Sequence, residues 1–202
     1  QMIDGNGRSR RYGSEVIGTE GTIGLFTKIK LRLTDPIREK SMDLLKFEQI
    51  GPMMEKVFSL KNNDDVVLME YISKSASKLI GLEPYYYLII EYHGMDGNIK
   101  SYEDMERIWK ILKDVFNKLA SHGYHYLEDP QIPADSIVEF LYWLESRGIP
   151  SFGPIGVDVL FPSLKDREEN KELTETVLKL RGHFGSRFGT GILKRDTLTE
   201  VK

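Results

Sequence analysis

The sequence predicts an α+β protein in which helices pack against a mostly antiparallel sheet. Its 202 residues are 40% hydrophobic and 29% charged, a balance typical of a globular protein. After residue 34, segments with helical and strand-like patterns follow one another in the order α, β, α, β, α, α, β, α. Two helices in succession break strict β-α alternation. The order therefore favours helices segregated against an antiparallel sheet.

Four segments have the character of strands. Segment 25–33 alternates leucine and isoleucine with lysine and arginine, which is the period of a half-buried strand. Segment 85–92 (YYYLIIEY) is rich in aromatic and β-branched residues, and this makes it the best-defined strand. Segments 66–69 and 155–161 are shorter strand candidates, and Pro162 closes the second of them.

Five segments have the three-to-four residue spacing of an amphipathic helix. The longest carries an apolar stripe from Met105 to Leu119 and ends at Gly123, a residue that favours helix termini. The predicted helices are 47–60, 70–80, 102–122, 133–145 and 170–181.

Composition and charge exclude several classes of function. With 28 Lys and Arg against 31 Asp and Glu, the net charge is −3, which gives no electrostatic footprint for nucleic acid. The absence of cysteine excludes disulfides, thiolate nucleophiles and cysteine-bound metals. No stretch approaches the roughly 18 apolar residues of a membrane span, and the polar start does not resemble a signal peptide. We expect a cytoplasmic protein, and peripheral association with a membrane stays open.

A glycine-rich segment at 18–24 is the most informative local pattern. Three glycines among seven residues expose backbone N–H groups, which can approach a pyrophosphate closely. The alternative is a tight turn between strands, and the residues alone favour that alternative. Neither the glycine spacing nor the strand that follows fits a Rossmann or Walker motif.

Five motifs in order resemble one family. The run 17–24 (IGTEGTIG) and its strand resemble the "GSEGTLG" signature of FAD-linked oxidases of the vanillyl-alcohol-oxidase and p-cresol-methylhydroxylase type. The later runs resemble the glycolate oxidase D-subunit and D-lactate dehydrogenase branch of that family. These runs are VLMEY at 67–71, LIIEYHG at 88–94, EDPQIP at 128–133 and GHFGSRFGTGILKRDTL at 182–198. The resemblance covers nearly the whole chain.

The resemblance implies two domains and a flavin cofactor. Residues 1–34 would end a p-cresol-methylhydroxylase-type FAD-binding domain. Residues 35–202 would form the cap, or substrate, domain, a ferredoxin-like antiparallel sheet with helices on one face. The implied function is the C-terminal part or a subunit of an FAD-dependent oxidoreductase that oxidises a small 2-hydroxy acid of the glycolate or D-lactate type.

The same resemblance implies a missing FAD-binding half upstream. A split-gene subunit, a truncated relic and a fragment left by proteolysis all stay open. A competing hypothesis is a non-catalytic subunit or orphan domain that retains the cap fold for assembly. A split flavin domain exposes sheet edges and apolar surface, so a homo- or hetero-oligomer is expected.

Site residues follow from the matched motifs. The expected FAD-binding residues are Gly18, Thr19, Glu20, Gly21, Thr22, Ile23 and Gly24. Arg187, Lys194 and His183 are substrate candidates, because an arginine can bind a carboxylate in bidentate fashion and Lys194 matches a family lysine. A solvated loop arginine is the alternative for Arg187.

The chain departs from the family where the family has histidines. The family run "GHxGDGNxH" matches 153–162, where Pro154 and Phe161, or a neighbour of Phe161, replace both histidines. The family "GEHG" reads SRFG at 186–189, so its Glu and His are missing too. We therefore expect no metal site, and no general base can be named. A local echo, HGMDGN at 93–98, lies at the end of a strand and is interpreted as a turn.

Overall fold

The computed structural model describes residues 1–17, 22–33 and 39–185. The chain divides into two compact units, residues 1–36 and residues 37–202. Whether these units are the remnant of an FAD-binding domain and a cap stays a prediction.

The first unit contains a three-stranded antiparallel sheet. Its strands are β1 (Met2–Asp4), β2 (Ser9–Arg10) and β3 (Gly24–Phe26), in the order β2-β1-β3. The Asp4 side chain accepts hydrogen bonds from the backbone N–H groups of Asn6 and Arg8, and these bonds fix the β1-β2 turn.

The prediction of a strand over 25–33 is wrong for most of its length. Only Gly24–Phe26 pairs with β1, and residues 27–33 have no regular secondary structure. A period-two pattern gives a stable strand only when a neighbour completes the hydrogen bonds and a second layer covers the apolar face. Strand pairing stops at Phe26, and Leu25, Ile29, Leu31 and Leu33 are 69–87% exposed, so no second layer covers this apolar face within the described chain.

The second unit contains six strands and five helices. Its strands are β4 (Lys40–Phe47), β5 (Val66–Ile72), β6 (Tyr86–His93), β7 (Tyr126–Leu127), β8 (Ser151–Gly153) and β9 (Phe161–Leu164). Its helices are α1 (Ile50–Leu60), α2 (Lys74–Leu79), α3 (Tyr102–Ser121), α4 (Ile137–Ser146) and α5 (Arg167–Lys179). None of the described helices combines the length and the apolar character that crossing a bilayer requires.

The strands form an antiparallel sheet in the order β4-β6-β5-β8-β9-β7. The α+β class with an antiparallel sheet is thus confirmed. The β4-α1-β5 unit has β6 inserted between its two strands, a split β-α-β arrangement that occurs in ferredoxin-like folds. The sheet then continues from β5 through β8 and β9 to β7. The ferredoxin-like prediction is therefore not confirmed for the sheet as a whole.

The prediction that helices cover one face of the sheet is wrong. Two apolar cores lie on opposite faces, and alternate residues of β6 enter each of them: Leu88 and Ile90 join one, Tyr87 and Ile89 the other. Helices α1, α4 and α5 contribute to the first core, and α2 and α3 to the second. The unbroken apolar run of β6 is the physical reason, because a strand with two apolar faces must be covered on both.

Three further predictions need correction. Residues 70–72 continue β5, so the predicted helix 70–80 shortens to α2, which begins after the N-cap residue Ser73. Strand β4 was not predicted, and Phe47, which was predicted as the first residue of a helix, is the last residue of this strand. Segment 155–161 is not one strand: Ile155–Val157 form a turn of 3-10 helix and Phe161 begins β9.

Candidate functional site

Three of the runs singled out in the sequence lie side by side in the second unit. Gln131, from the EDPQIP run, forms β-bridges to Val159 on one side and to His183 on the other. The Gln131 N–H donates to the His183 carbonyl at 2.8 Å, and the His183 N–H donates back at 3.0 Å. The Leu160 N–H donates to the Pro130 carbonyl at 3.1 Å. The EDPQIP run therefore lies between the other two runs and joins them through backbone hydrogen bonds.

Two buried carboxylates anchor this junction. Glu128 accepts a hydrogen bond from the Asn170 side chain of α5 at 2.8 Å. Asp129, fully buried, accepts one from the Gly185 N–H at 3.1 Å. Buried carboxylates in such positions hold loops, since charge-assisted bonds to backbone N–H groups are strong. Glu128 thus ties α5 to the EDPQIP run, and Asp129 ties the last described residues of the chain to it.

Pro154 and Phe161, the residues that stand at or next to the histidine positions of the resembled family, have structural roles here. Phe161 is 4% exposed, and its ring packs edge-to-face on Phe152 with centroids 5.4 Å apart. Gly153 must stay small, because a Cβ there would lie 2.9 Å from the Phe161 ring. Pro154 is the N-cap of the turn of 3-10 helix, and its side chain has no atom that could bind a metal. Within the described ranges, no group of three or more His, Asp or Glu side chains is arranged to hold a metal.

The substrate candidates are only partly placed. The His183 side chain is exposed, while its backbone forms the bridge to Gln131. Arg187 and Lys194 lie outside the described residues. The role of all three as substrate ligands stays a prediction.

The expected FAD-binding loop is also partly described. Residues 18–21 lie outside the described ranges, whereas Thr22 and Ile23 are exposed. Gly24 pairs with Asp4, and a Cβ at this position would lie 2.4 Å from the Ile3 carbonyl oxygen. Close strand packing therefore accounts for this glycine without a ligand, while the exposed residues before it remain accessible to one.

The HGMDGN run is a turn after β6, as predicted. The Ser41 hydroxyl accepts from the Gly97 N–H at 2.8 Å, and Asp43 accepts from both the backbone and the side chain of Asn98. A Cβ on Gly97 would lie 2.6 Å from the Met42 nitrogen. The turn is thereby tied to β4.

Sequence reasoning missed a cavity of about 250 Å³ beside the 153–162 run. It lies between the end of α1, the start of β5 and the turn of 3-10 helix, and its walls are mostly aliphatic. Among its described lining residues, Lys61 alone has a charged side chain. Gly156 shapes one wall, since a Cβ there would approach the Met69 Cβ to 3.2 Å.

Lys61 binds an aspartate that is distant in the sequence. Its Nζ lies 2.5 Å from both carboxylate oxygens of Asp158, and the two side chains are 26% and 19% exposed. Asp158 has a left-handed backbone (φ 62°), a conformation that Asp and Asn tolerate better than most residues. No local pattern connects positions 61 and 158, so the pair could not be found from the sequence.

Two buried tyrosines, Tyr71 and Tyr92, form hydrogen bonds in the interior of the second unit. The Tyr71 hydroxyl donates to Ser151 Oγ at 2.6 Å, and burial holds the pKa of Tyr71 far above its usual value. Burial, reinforced by Asp43, raises the pKa of Tyr92 to about 12. Both phenols are therefore neutral at physiological pH and serve as hydrogen-bond donors, which excludes them as general bases there.

Comparison with curated proteins finds a distant similarity, and no family model matches the chain. The chain is 22% identical to a D-2-hydroxyglutarate dehydrogenase of Stutzerimonas stutzeri (strain A1501) over 236 aligned positions. The alignment covers 90% of this chain and 51% of the relative. The chain therefore spans about half the length of the curated relative it matches, and nearly all of the chain is similar to a part of that dehydrogenase.

Proposed function

We propose that this chain is the C-terminal part or a subunit of an FAD-dependent oxidoreductase that oxidises a small 2-hydroxy acid of the glycolate or D-lactate type. The observation that carries the proposal is the similarity to D-2-hydroxyglutarate dehydrogenase along 90% of the chain. The oxidase-like motifs, which follow one another in the same order as in the resembled family, also support the proposal. The share of the relative that is matched, 51%, supports a flavin-binding half carried elsewhere.

The described residues are compatible with a flavin at the glycine-rich loop. Thr22 and Ile23 are exposed, and the loop carries little side-chain bulk. When bound, FAD would supply the redox chemistry by accepting a hydride from the substrate. Backbone N–H groups of the loop would bind the pyrophosphate, and the second unit would shape the substrate pocket.

Exposed apolar side chains in the first unit support a partner polypeptide. Eight described large hydrophobic residues there are 37–87% exposed, among them Ile17, Leu25, Ile29, Leu31 and Leu33. Contiguous exposed apolar surface is typical of protein interfaces. An upstream FAD-binding half, present as a separate chain or as a preceding segment, would cover this surface.

A non-catalytic subunit is the second candidate. The observation that favours it is the replacement of both family histidines, one of them by the buried and packed ring of Phe161. A phenylalanine ring has no ionisable group and cannot serve as the acid or base that a histidine would supply. In this case the chain would keep its fold for assembly and carry no chemistry.

Visible absorption of the purified chain tests flavin binding. The spectrum is recorded before and after incubation with excess FAD and desalting, and Gly21→Asp serves as the matched loop variant. A flavin band that is retained by the wild type and lost in Gly21→Asp supports direct FAD binding. A colourless wild type contradicts binding by this chain alone and directs attention to the partner half.

Turnover separates the two candidates. The chain is assayed with FAD, the partner half and an artificial electron acceptor, with glycolate, D-lactate and D-2-hydroxyglutarate as substrates. Reduction of the acceptor that depends on a 2-hydroxy acid supports the enzyme. Stable assembly without turnover, using a partner half that binds FAD, supports the non-catalytic subunit.

A further inference from the structure

The cavity beside Lys61 combines three features of a small-ligand site. Its volume, about 250 Å³, is slightly below the range of about 300 to 1,000 Å³ that is common for ligand pockets. Most of its lining side chains are aliphatic, and Val67 and Val157 among them are 43% and 59% exposed. Lys61 supplies the one charged side chain among its described lining residues. Pockets of this kind bind an apolar group through their walls and orient it with a few polar atoms.

Lys61 has hydrogen-bonding capacity beyond its aspartate. An ammonium group carries three N–H donors, and the two Asp158 oxygens accept at most two of them in the observed geometry. Lys61 lines the cavity and Asp158 does not. Because Lys61 lines the cavity, its ammonium has one N–H donor left for an acceptor bound there.

We propose that this cavity binds a small carboxylic acid with a short aliphatic chain, whose carboxylate is held by Lys61. Apolar walls contact the chain, and the Lys61 ammonium donates to the carboxylate. Asp158 competes for the same ammonium and so sets the affinity. The site is built wholly within the second unit and needs no flavin, so it goes beyond the function proposed above.

Charge selects this ligand class over others. A cationic ligand would meet the Lys61 ammonium, and a neutral alkane would leave its third donor without an acceptor. A phosphate dianion would bring two negative charges to a cation already paired with one carboxylate. A monocarboxylate matches the single, partly neutralised cation.

The test is a ligand-detected NMR titration of the full chain with sodium butyrate and with sodium 2-hydroxybutyrate. Sodium chloride at equal ionic strength and n-butanol are the controls. We expect butyrate to bind with a Kd on the order of 1 mM, and butanol and chloride not to compete for the site. Stronger binding of 2-hydroxybutyrate would connect the cavity with 2-hydroxy acids. Equal binding would mark a site for simple carboxylates.

Two substitutions at one ion pair must act in opposite directions. Lys61→Met keeps the aliphatic stem and removes the cation, so butyrate binding is lost. Asp158→Asn keeps a residue that suits the left-handed backbone and removes the competing charge. Binding should then tighten about tenfold. Lys46→Met removes a lysine that pairs with Glu83 outside the cavity lining and should leave binding unchanged.

The opposite signs separate a binding role from a structural one. Should Lys61→Met unfold the chain, the double variant with Asp158→Asn removes both charges and allows the titration to be completed. Unchanged butyrate binding in Lys61→Met or in the double variant would overturn the proposal. So would weaker or unchanged binding in folded Asp158→Asn.

Discussion

Single residues in this protein show how burial decides the role of a polar group. Tyr92 is 5% exposed, and its hydroxyl donates to Asp43 at 3.2 Å. Asp43 also accepts from the backbone and the side chain of Asn98, so one carboxylate joins β4, β6 and the turn that follows. The phenol must stay protonated to keep this arrangement, and this requirement makes the stability of the chain sensitive to alkaline pH.

Tyr92→Phe should therefore reduce the alkaline loss of stability. The pKa of Tyr92 rises from 10.0 to about 12 on folding, so its contribution is complete below pH 10 and is lost as the pH rises toward 12. Unfolding in urea, measured from neutral pH to pH 12, should show a decline that is smaller in Tyr92→Phe by about 1 to 2 kcal/mol. Tyr102→Phe, at a 77% exposed position, is the control and should follow the wild type. Identical curves for the two variants would contradict the assignment.

Among the elements, α2 shows how one capping residue joins a helix to the sheet. Ser73 Oγ accepts from the Ala76 N–H at 3.1 Å, which caps the helix, and from the Ser151 N–H at 2.9 Å, which ties the cap to β8. The Ser73 N–H in turn donates to the Ser151 carbonyl at 2.8 Å. The start of α2 is thus bonded to β8 through both backbone and side chain.

Ser73→Ala should destabilise the chain by about 2 kcal/mol. It removes a cap, typically worth about 1 kcal/mol, and leaves the buried Ser151 N–H without its acceptor. Ser101→Ala is the matched control, because within the described chain Ser101 is the N-cap of α3 without a side-chain capping bond. Urea unfolding of both variants measures the difference. A loss in Ser73→Ala no larger than that in Ser101→Ala would show that the double hydrogen bond has little effect.

Elements could be predicted where local pattern and tertiary environment agree. Strand β6 and helix α3 have unbroken apolar patterns that also match their buried surfaces, and both were found. The 25–33 segment has a strand pattern, but its pairing with β1 stops at Phe26. Residues 70–72 were assigned to a helix, although pairing with Tyr87 to Ile89 makes them part of a strand. Pairing partners are set by the fold, which the local sequence does not contain.

The candidate site was predictable only in part for the same reason. The runs 128–133, 153–162 and 182–198 were singled out by their resemblance to a family, and the described parts of all three meet. The cavity and the pair of Lys61 with Asp158 depend on residues 97 positions apart. A contact of that separation leaves no periodic signal in the sequence.

At the scale of the whole molecule, the two units differ in the size of their cores. In the described part of the first unit, Met2 and Val16 are the buried hydrophobic residues, whereas the second unit has two extensive apolar cores. Local opening free energies follow the amount of buried apolar contact. The two units should therefore differ widely in local stability.

Hydrogen–deuterium exchange should make this difference visible. Amides of residues 22–33 should exchange with little protection, while those of β6 should exchange only through global unfolding, with protection higher by at least about a thousandfold. Peptide-level mass spectrometry at neutral pH measures both. Slow exchange across 22–33 in the isolated chain would contradict the prediction. Slow exchange that appears only with a partner half would identify the covered surface.

The hydrophobic pattern of strand β6 does not by itself determine how β6 aligns with its neighbour β4. Because both faces are apolar, a slip by one residue would still place hydrophobic side chains in both cores. Two diagonal polar pairs to β4 select the observed register, Lys40 with Glu91 on one face and Asp43 with Tyr92 on the other. A slip of one residue would place Glu91 and Tyr92 on the faces opposite to Lys40 and Asp43. The buried carboxylates would then lose these partners. These polar pairs therefore determine the register in which β6 pairs with β4.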